Sequence, residues 1–340
     1  MIQDARVLQD DFIPREIVHR HDEMNCLATA LEPVVDGDTP QNALLAGPSG
    51  AGKTCVARYS LNTLEEQLLD IQTHYVDCWQ HSKRFRALLK ILEGVRNTYD
   101  IHRSTPYDEM LARLEDIDAP YVVVLDEVDQ LVDKGLLKEL YAIPEVTMVM
   151  IANSTREVYD PLDERLRSRL RGSVTVTFDV YSDAELVRIL ADRVEWGLKR
   201  DAIDRDRLAF IADAAAGNAR DAINILQSAA RKAEREGADA ITDAHLEFAV
   251  PDARERIRQK SLDRLTSSQR AIYATLSDLG EASPQELYHA YSDRVDDPRS
   301  ERTVRRYLNK LTDYNLAASS GRRPDRTQTC SLPPVAARDW

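Results

Sequence analysis

The sequence predicts an α/β core, a parallel sheet flanked by helices, followed by an α-helical lid and a C-terminal winged-helix domain. Three observations carry that reading. Short apolar runs alternate with helical stretches over residues 41–178, the pattern from 183 to about 250 is helical, and three helices followed by a hairpin fill 264–333, which divides the chain into domains at 1–178, 179–258 and 259–340. At 340 residues the chain has room for two or three domains, and a hydrophobic content of 43% suits buried cores.

The elements follow in order. Strand candidates are 43–46, 74–77, 121–125, 147–152 and 173–178, with helical stretches between most of them, as parallel crossovers demand. Amphipathic helices are expected from 184 to 196, 206 to 216 and 218 to 236, with Gly217 and Gly237 at helix ends. The stretch 251–263 follows a proline and is charged and apolar-poor, which fits a linker or the start of a connecting helix. Beyond it, 267–279 repeats Ile272, Leu276 and Leu279 at helical spacing. Ser283-Pro284-Gln285-Glu286 reads as an N-cap, a proline in the first turn and a glutamate three residues after the cap. The run 300–313 lines Val304, Tyr307, Leu308 and Leu311 on one face, and 316–320 with 327–332 form a hairpin around the turn 321–325. No fixed-period repeat is evident.

Net charge is −13, and it is unevenly distributed. Residues 261–340 carry +1 and the remainder −14, while 299–326 holds eight basic and three acidic residues. A basic segment on an acidic body is an electrostatic footprint for nucleic acid. Arginine outnumbers lysine 36 to 9, a bias compatible with a salt-adapted host or with genome base composition. The four cysteines, Cys26, Cys55, Cys78 and Cys330, form no C-x-x-C pair, which argues against zinc and disulfides and fits a reducing compartment. Apolar runs fall short of a membrane span, and the polar residues 1–15 show no signal-peptide pattern. The expected location is cytoplasmic, associated with the nucleoid.

The chemistry is concentrated in Gly47-Pro48-Ser49-Gly50-Ala51-Gly52-Lys53-Thr54, which fits the G-x-x-x-x-G-K-T phosphate loop between a strand and a helix. Glycines let backbone N–H groups converge on phosphate oxygens at a helix N-terminus. Lys53 would reach the β- and γ-phosphates and Thr54 would hold magnesium, with Cys55 next on the helix. The apolar run 122–125 ends in Asp126-Glu127, two carboxylates at a strand's C-terminal edge. Asp126 would serve the magnesium shell, and Glu127 would orient and deprotonate the attacking water. Asn153, after the strand 147–152, is placed to sense the γ-phosphate.

In these motifs and their order the chain resembles AAA+ ATPases, and most closely the archaeal replication initiators, relatives of the eukaryotic origin-recognition and helicase-loading proteins. Asp126-Glu127-Val128-Asp129 matches the family's acidic motif. The segment 12–20 resembles the one lining the adenine pocket, which implicates Ile13 and Arg15. The segment 162–170 resembles the arginine-finger segment, and Arg169 is the finger chosen among Arg165, Arg167, Arg169 and Arg171. The segment 178–193 resembles the start of the lid, where Tyr181 and Arg193 would touch nucleotide. Gly217-Asn218-Ala219-Arg220-Asp221-Ala222 resembles the second sensor motif, with Arg220 on the γ-phosphate. The segment 78–86 matches a second DNA contact through Lys83 and Arg84.

The resemblance implies ATP or ADP with Mg2+ as cofactors. It implies double-stranded origin DNA, the replicative helicase, and further copies of itself or of related initiators as partners. In the winged helix, the third helix would enter the major groove with Arg302, Arg305 and Arg306, beside Arg299, while Arg322, Arg323 and Arg326 occupy the wing. The reading is an ATP-regulated initiator with slow, switch-like hydrolysis. A transcription regulator retaining the switch, or a clamp-loader-like ATPase without sequence preference, are the alternatives that the residues leave open.

Overall fold

In chain order the first compact unit, residues 1–250, begins with α1 (His21–Leu31), β1 (Ala43–Ala46), α2 (Lys53–Gln67), β2 (Gln72–Asp77), α3 (Arg84–Leu92) and α4 (Tyr107–Glu115). It continues through β3 (Tyr121–Asp126), α5 (Gly135–Ala142), β4 (Val146–Ala152), α6 (Thr155–Tyr159), α7 (Glu164–Leu170) and β5 (Val174–Thr177). Three helices then follow: α8 (Asp183–Gly197), α9 (Arg205–Ala215) and α10 (Ala219–Arg235). This computed structural model describes every residue except 37, 69, 97, 99, 314, 315, 321–328 and 332–340.

The five strands pair in the order β2-β3-β4-β1-β5, all parallel. β3 and β4 are buried along their whole length, which is why they read as continuous apolar runs rather than alternating ones. Alternate residues serve opposite layers. Val123 and Leu125 pack with Leu88, Ile91 and Met148, whereas Val122 and Val124 pack with Val56 and Leu61 of α2. All five strands stand where the apolar runs predict them, although β2 starts two residues earlier, at Gln72.

The lid helices have the ends their sequences specify. Ser182 and Glu185 form a reciprocal capping box at α8, Asp204 caps α9 and Asn218 caps α10, each accepting from a first-turn N–H. Residues 1–12, expected within the core, are tied to these helices instead. Gln3 N and Asp4 N donate to Gly197 O at 2.9 and 3.2 Å, and Gln227 Nε2 donates to Leu8 O at 2.8 Å. α1 packs against the core, with Leu27 and Leu31 buried beside Val56 and Val176. The stretch between, 13–20, therefore bridges lid and core.

α11 (Asp243–Arg264) contains Pro251, the first residue of the second compact unit. Of the two alternatives for 251–263, the helix holds. In the second unit α12 (Ser267–Leu279), β6 (Glu281–Ala282), α13 (Pro284–Arg294) and α14 (Glu301–Asp313) precede β7 (Ala318–Ser320) and β8 (Thr329–Ser331). β7 and β8 are antiparallel, and β6 joins them in the order β6-β8-β7. β6 has two residues, too few for any period to announce. Ile272, Leu276, Leu287, Tyr291, Val304, Leu308 and Leu311 are this unit's buried core.

Candidate functional site

β1 delivers the chain into the phosphate loop. Gly50 and Gly52 take φ of +75° and +95°, a region that side chains disfavour. Neighbouring groups exclude a side chain as well. A Cβ on Gly50 would fall 1.9 Å from Asn218 Oδ1, and one on Gly52 would fall 2.3 Å from the Tyr181 hydroxyl. Both obstacles come from the lid or its junction with the core. Ala219 N also donates to Gly50 O at 3.2 Å, so the N-terminus of α10 rests directly on the loop.

Lys53 opens α2 and is buried. Its Nζ donates to Gly47 O at 2.6 Å and Pro48 O at 2.7 Å. Burial pulls its pKa down to about 8, opposed by Asp126 and assisted by the positive charge of Arg220. Thr54 Oγ1 donates to Asp126 Oδ2 at 2.7 Å. The same oxygen accepts from the Tyr75 hydroxyl at 2.8 Å, and Asp126 Oδ1 accepts from Glu127 N at 2.9 Å. Glu127 itself sits at φ +53°, an uncommon backbone for a non-glycine residue and one found at active sites. Thr54 and Asp126 are hard oxygen donors, the type that suits magnesium, and the loop with Lys53 forms a cradle for a polyphosphate. Asn153 follows β4, which lies between β3 and β1 in the sheet.

Other expected residues occupy different surroundings. Arg193 is buried, and its guanidinium donates to Val7 O at 2.8 Å and Phe12 O at 3.0 Å, 4.8 Å from the Phe12 ring. It fastens the N-terminal segment to α8. Ile13 is half-buried, and Arg15 is exposed with its guanidinium 5.2 Å from the Trp196 ring. Burial pushes the thiol pKa of Cys55 and the phenol pKa of Tyr181 upward. Among the finger candidates, Arg167 donates to the carbonyls of Tyr159, Asp160 and Leu162. Arg165, Arg169 and Arg171 are exposed, Arg169 with its guanidinium 5.8 Å from the Tyr141 ring.

Sequence reasoning passed over two residues. Arg20, at φ +65°, lies 4.1 Å from the Tyr181 ring and 5.5 Å from Phe178. It donates to Glu23 Oε1 at 2.7 Å and to Asp179 O. Tyr181 is thus held between Arg20 and Gly52. Tyr75, on Asp126, is the second. No spacing rule points to the Arg20–Tyr181 or the Tyr75–Asp126 contact, because each is made only through the tertiary fold.

The DNA candidates divide. Lys83 is exposed before α3. Arg84 is engaged internally, bonded to Asp133 at 3.0 Å, to Tyr107 at 2.9 Å and to Glu139, so its charge is already paired. On α14, Arg302, Arg305 and Arg306 are exposed opposite buried Val304, Leu308 and Leu311. Arg305 pairs with Glu301 at 2.6 Å, one turn away, and Arg306 lies 5.4 Å from the Tyr307 ring. Arg299 is exposed ahead of the helix. Arg322, Arg323 and Arg326 lie outside the described residues.

Known proteins resemble this chain along nearly its whole length. Residues 36–158 match the AAA domain family and residues 187–250 the Cdc6 AAA+ ATPase-type lid domain. An ORC1-type DNA replication protein 9 of Halobacterium salinarum is 46% identical over 328 residues, 96% of this chain and 93% of that protein. An ORC1-type DNA replication protein 1 of the same organism is 47% identical over 90% of this chain and 100% of its own length. Among solved structures, the Aeropyrum pernix ORC1 protein in complex with DNA superposes with a TM-score of 0.74 at 28% identity, covering 97% of this chain and 92% of that one. An AAA core with its phosphate loop under a Cdc6-type lid, together with near-complete alignment to these relatives, places the chain in the ORC1-type family of DNA replication proteins, which are AAA+ ATPases.

Proposed function

We propose that this protein is an ATP-switched replication initiator that binds double-stranded origin DNA and helps recruit or load the replicative helicase. The observation that carries the switch is the direct seat of α10 on the phosphate loop, through Ala219 N on Gly50 O and Asn218 beside Gly50. A triphosphate entering the loop must share that contact, so occupancy is read by the lid.

Each residue then has a task. The loop N–H groups and Lys53 hold the phosphates. Thr54 and Asp126 hold magnesium, which when bound draws the phosphate oxygens together and neutralises their charge. Glu127 orients and deprotonates water. Asn153 and Arg220 contact the γ-phosphate, and Ile13, Arg15 and Tyr181 border the base and lid. Arg193 contributes by fixing the segment that precedes the adenine pocket. Arg169 serves a neighbour's nucleotide, so hydrolysis by an isolated monomer is slow. DNA is read by Arg302, Arg305 and Arg306, with Arg299, Arg322, Arg323 and Arg326 on phosphates and Lys83 as a second contact.

Mapping bound DNA across the host genome, with the intact protein and with the Arg302/Arg305/Arg306→Ala variant, tests this reading. A few sharp, repeat-containing sites near replication starts, lost in the variant, are expected. Promoter-wide peaks, or peaks indifferent to the substitutions, would overturn it.

A further inference from the structure

We propose that Tyr75 is a positioning residue of the magnesium site, holding the Asp126 carboxylate in one orientation through its hydroxyl. The inference rests on the assignment of Thr54 and Asp126 to that site. In the β2–β3 register Tyr75 stands opposite Val124. Asp126 is two residues further along and projects from the same face, a diagonal that a phenol is long enough to span. The hydroxyl donates to Asp126 Oδ2 at 2.8 Å, and the Arg58 guanidinium of α2 lies 5.3 Å from the ring centre.

The consequence concerns how Asp126 is oriented. Oδ2 accepts from both Thr54 and Tyr75, and Oδ1 accepts from Glu127 N. A carboxylate offers roughly four lone-pair directions, and three are already in use. The remaining direction, on Oδ1, is the one available to the metal or to a water of its shell. Tyr75 thereby restrains rotation of the carboxylate and leaves the Thr54 oxygen lone pair in place for the metal. Without the phenol hydroxyl, Asp126 gains a free direction on Oδ2 and loses its fixed aim.

The test is Tyr75→Phe, which keeps the ring and its packing. Affinity for the non-hydrolysable analogue ADPNP is measured by calorimetry in MgCl2 and in EDTA, for the wild type, Y75F and T54A. The wild type is expected to bind more tightly with magnesium, and T54A to lose that gain. Y75F is expected to match the wild type in EDTA but to show a magnesium-dependent gain about tenfold smaller, the size of one hydrogen bond to a charged acceptor. An undiminished gain in Y75F, with T54A behaving as expected, would overturn the role of Tyr75 alone. Equal weakening of Y75F in MgCl2 and EDTA would also overturn it, by making the residue merely structural. A wild type indifferent to magnesium would bring down the underlying site assignment and this inference together. A thermal melt of nucleotide-free Y75F within a few degrees of wild type shows that the variant is folded.

Discussion

Lys53 is buried in a cationic form that its surroundings disfavour, and nucleotide binding should reveal this as proton uptake. Its pKa is pulled from 10.5 down to about 8. In the nucleotide-free protein at pH 8.5 about three quarters of the molecules therefore carry a neutral Lys53, against about a tenth at pH 7. A diphosphate on the loop supplies the negative charge that restores the ordinary value. Binding of ADP should then take up about 0.8 proton at pH 8.5 and about 0.1 at pH 7, and affinity should fall about fourfold between them. Calorimetry in EDTA, in pairs of buffers with different ionisation enthalpies, gives the proton number directly. An uptake near zero at pH 8.5 would refute the reasoning. The same shift has a stability corollary. The folded value lies below the unfolded one, so charged Lys53 costs the nucleotide-free fold about 3 kcal/mol below pH 8. That cost is relieved as the pH rises from about 8 toward 10.5, which makes Lys53 one group whose titration favours the fold on the alkaline side.

Three further outcomes follow from the geometry. Glu127→Gln should leave nucleotide affinity within about twofold and lower hydrolysis by at least about a hundredfold, measured by phosphate release, since a general base is worth about 10²–10⁴-fold. Arg193→Ala should destabilise the protein by about 2–4 kcal/mol, because Val7 O and Phe12 O lose their buried donor; a denaturant midpoint unchanged from wild type would show that the N-terminal segment is held by other contacts. Arg169→Ala should leave monomer hydrolysis untouched and lower only the rate measured at concentrations of protein and DNA that bring copies together, and an equal loss in dilute monomer would exclude the finger role.

What the sequence disclosed and what it withheld differ for a physical reason. β1, α2 and the end of β3 were legible because each rests on local rules: apolar runs buried on both faces, glycines at special φ, and a proline- and glycine-free helix start. The start of α13 was legible for the same reason, since Ser283 acts on an N–H group three residues away, and α8 and α10 were legible from their amphipathic period. Tyr75, Arg20 and the destination of Arg193 were not, because their partners lie 51, 159 and 181 to 186 residues distant in the chain. Arg84 shows the hazard most plainly. Its basic neighbourhood, Lys83-Arg84-Phe85-Arg86, reads as a cation available to DNA, yet Asp133 and Glu139 claim it from 49 and 55 residues away. Exposure separates the two cases. On α14 the three arginines project opposite a buried apolar face, and Arg305 pairs with Glu301 one helical turn away on the surface. Such an exposed pair is worth at most about 1 kcal/mol, so a phosphate can displace Glu301 at little cost, whereas Arg84 would have to abandon two carboxylates and a tyrosine.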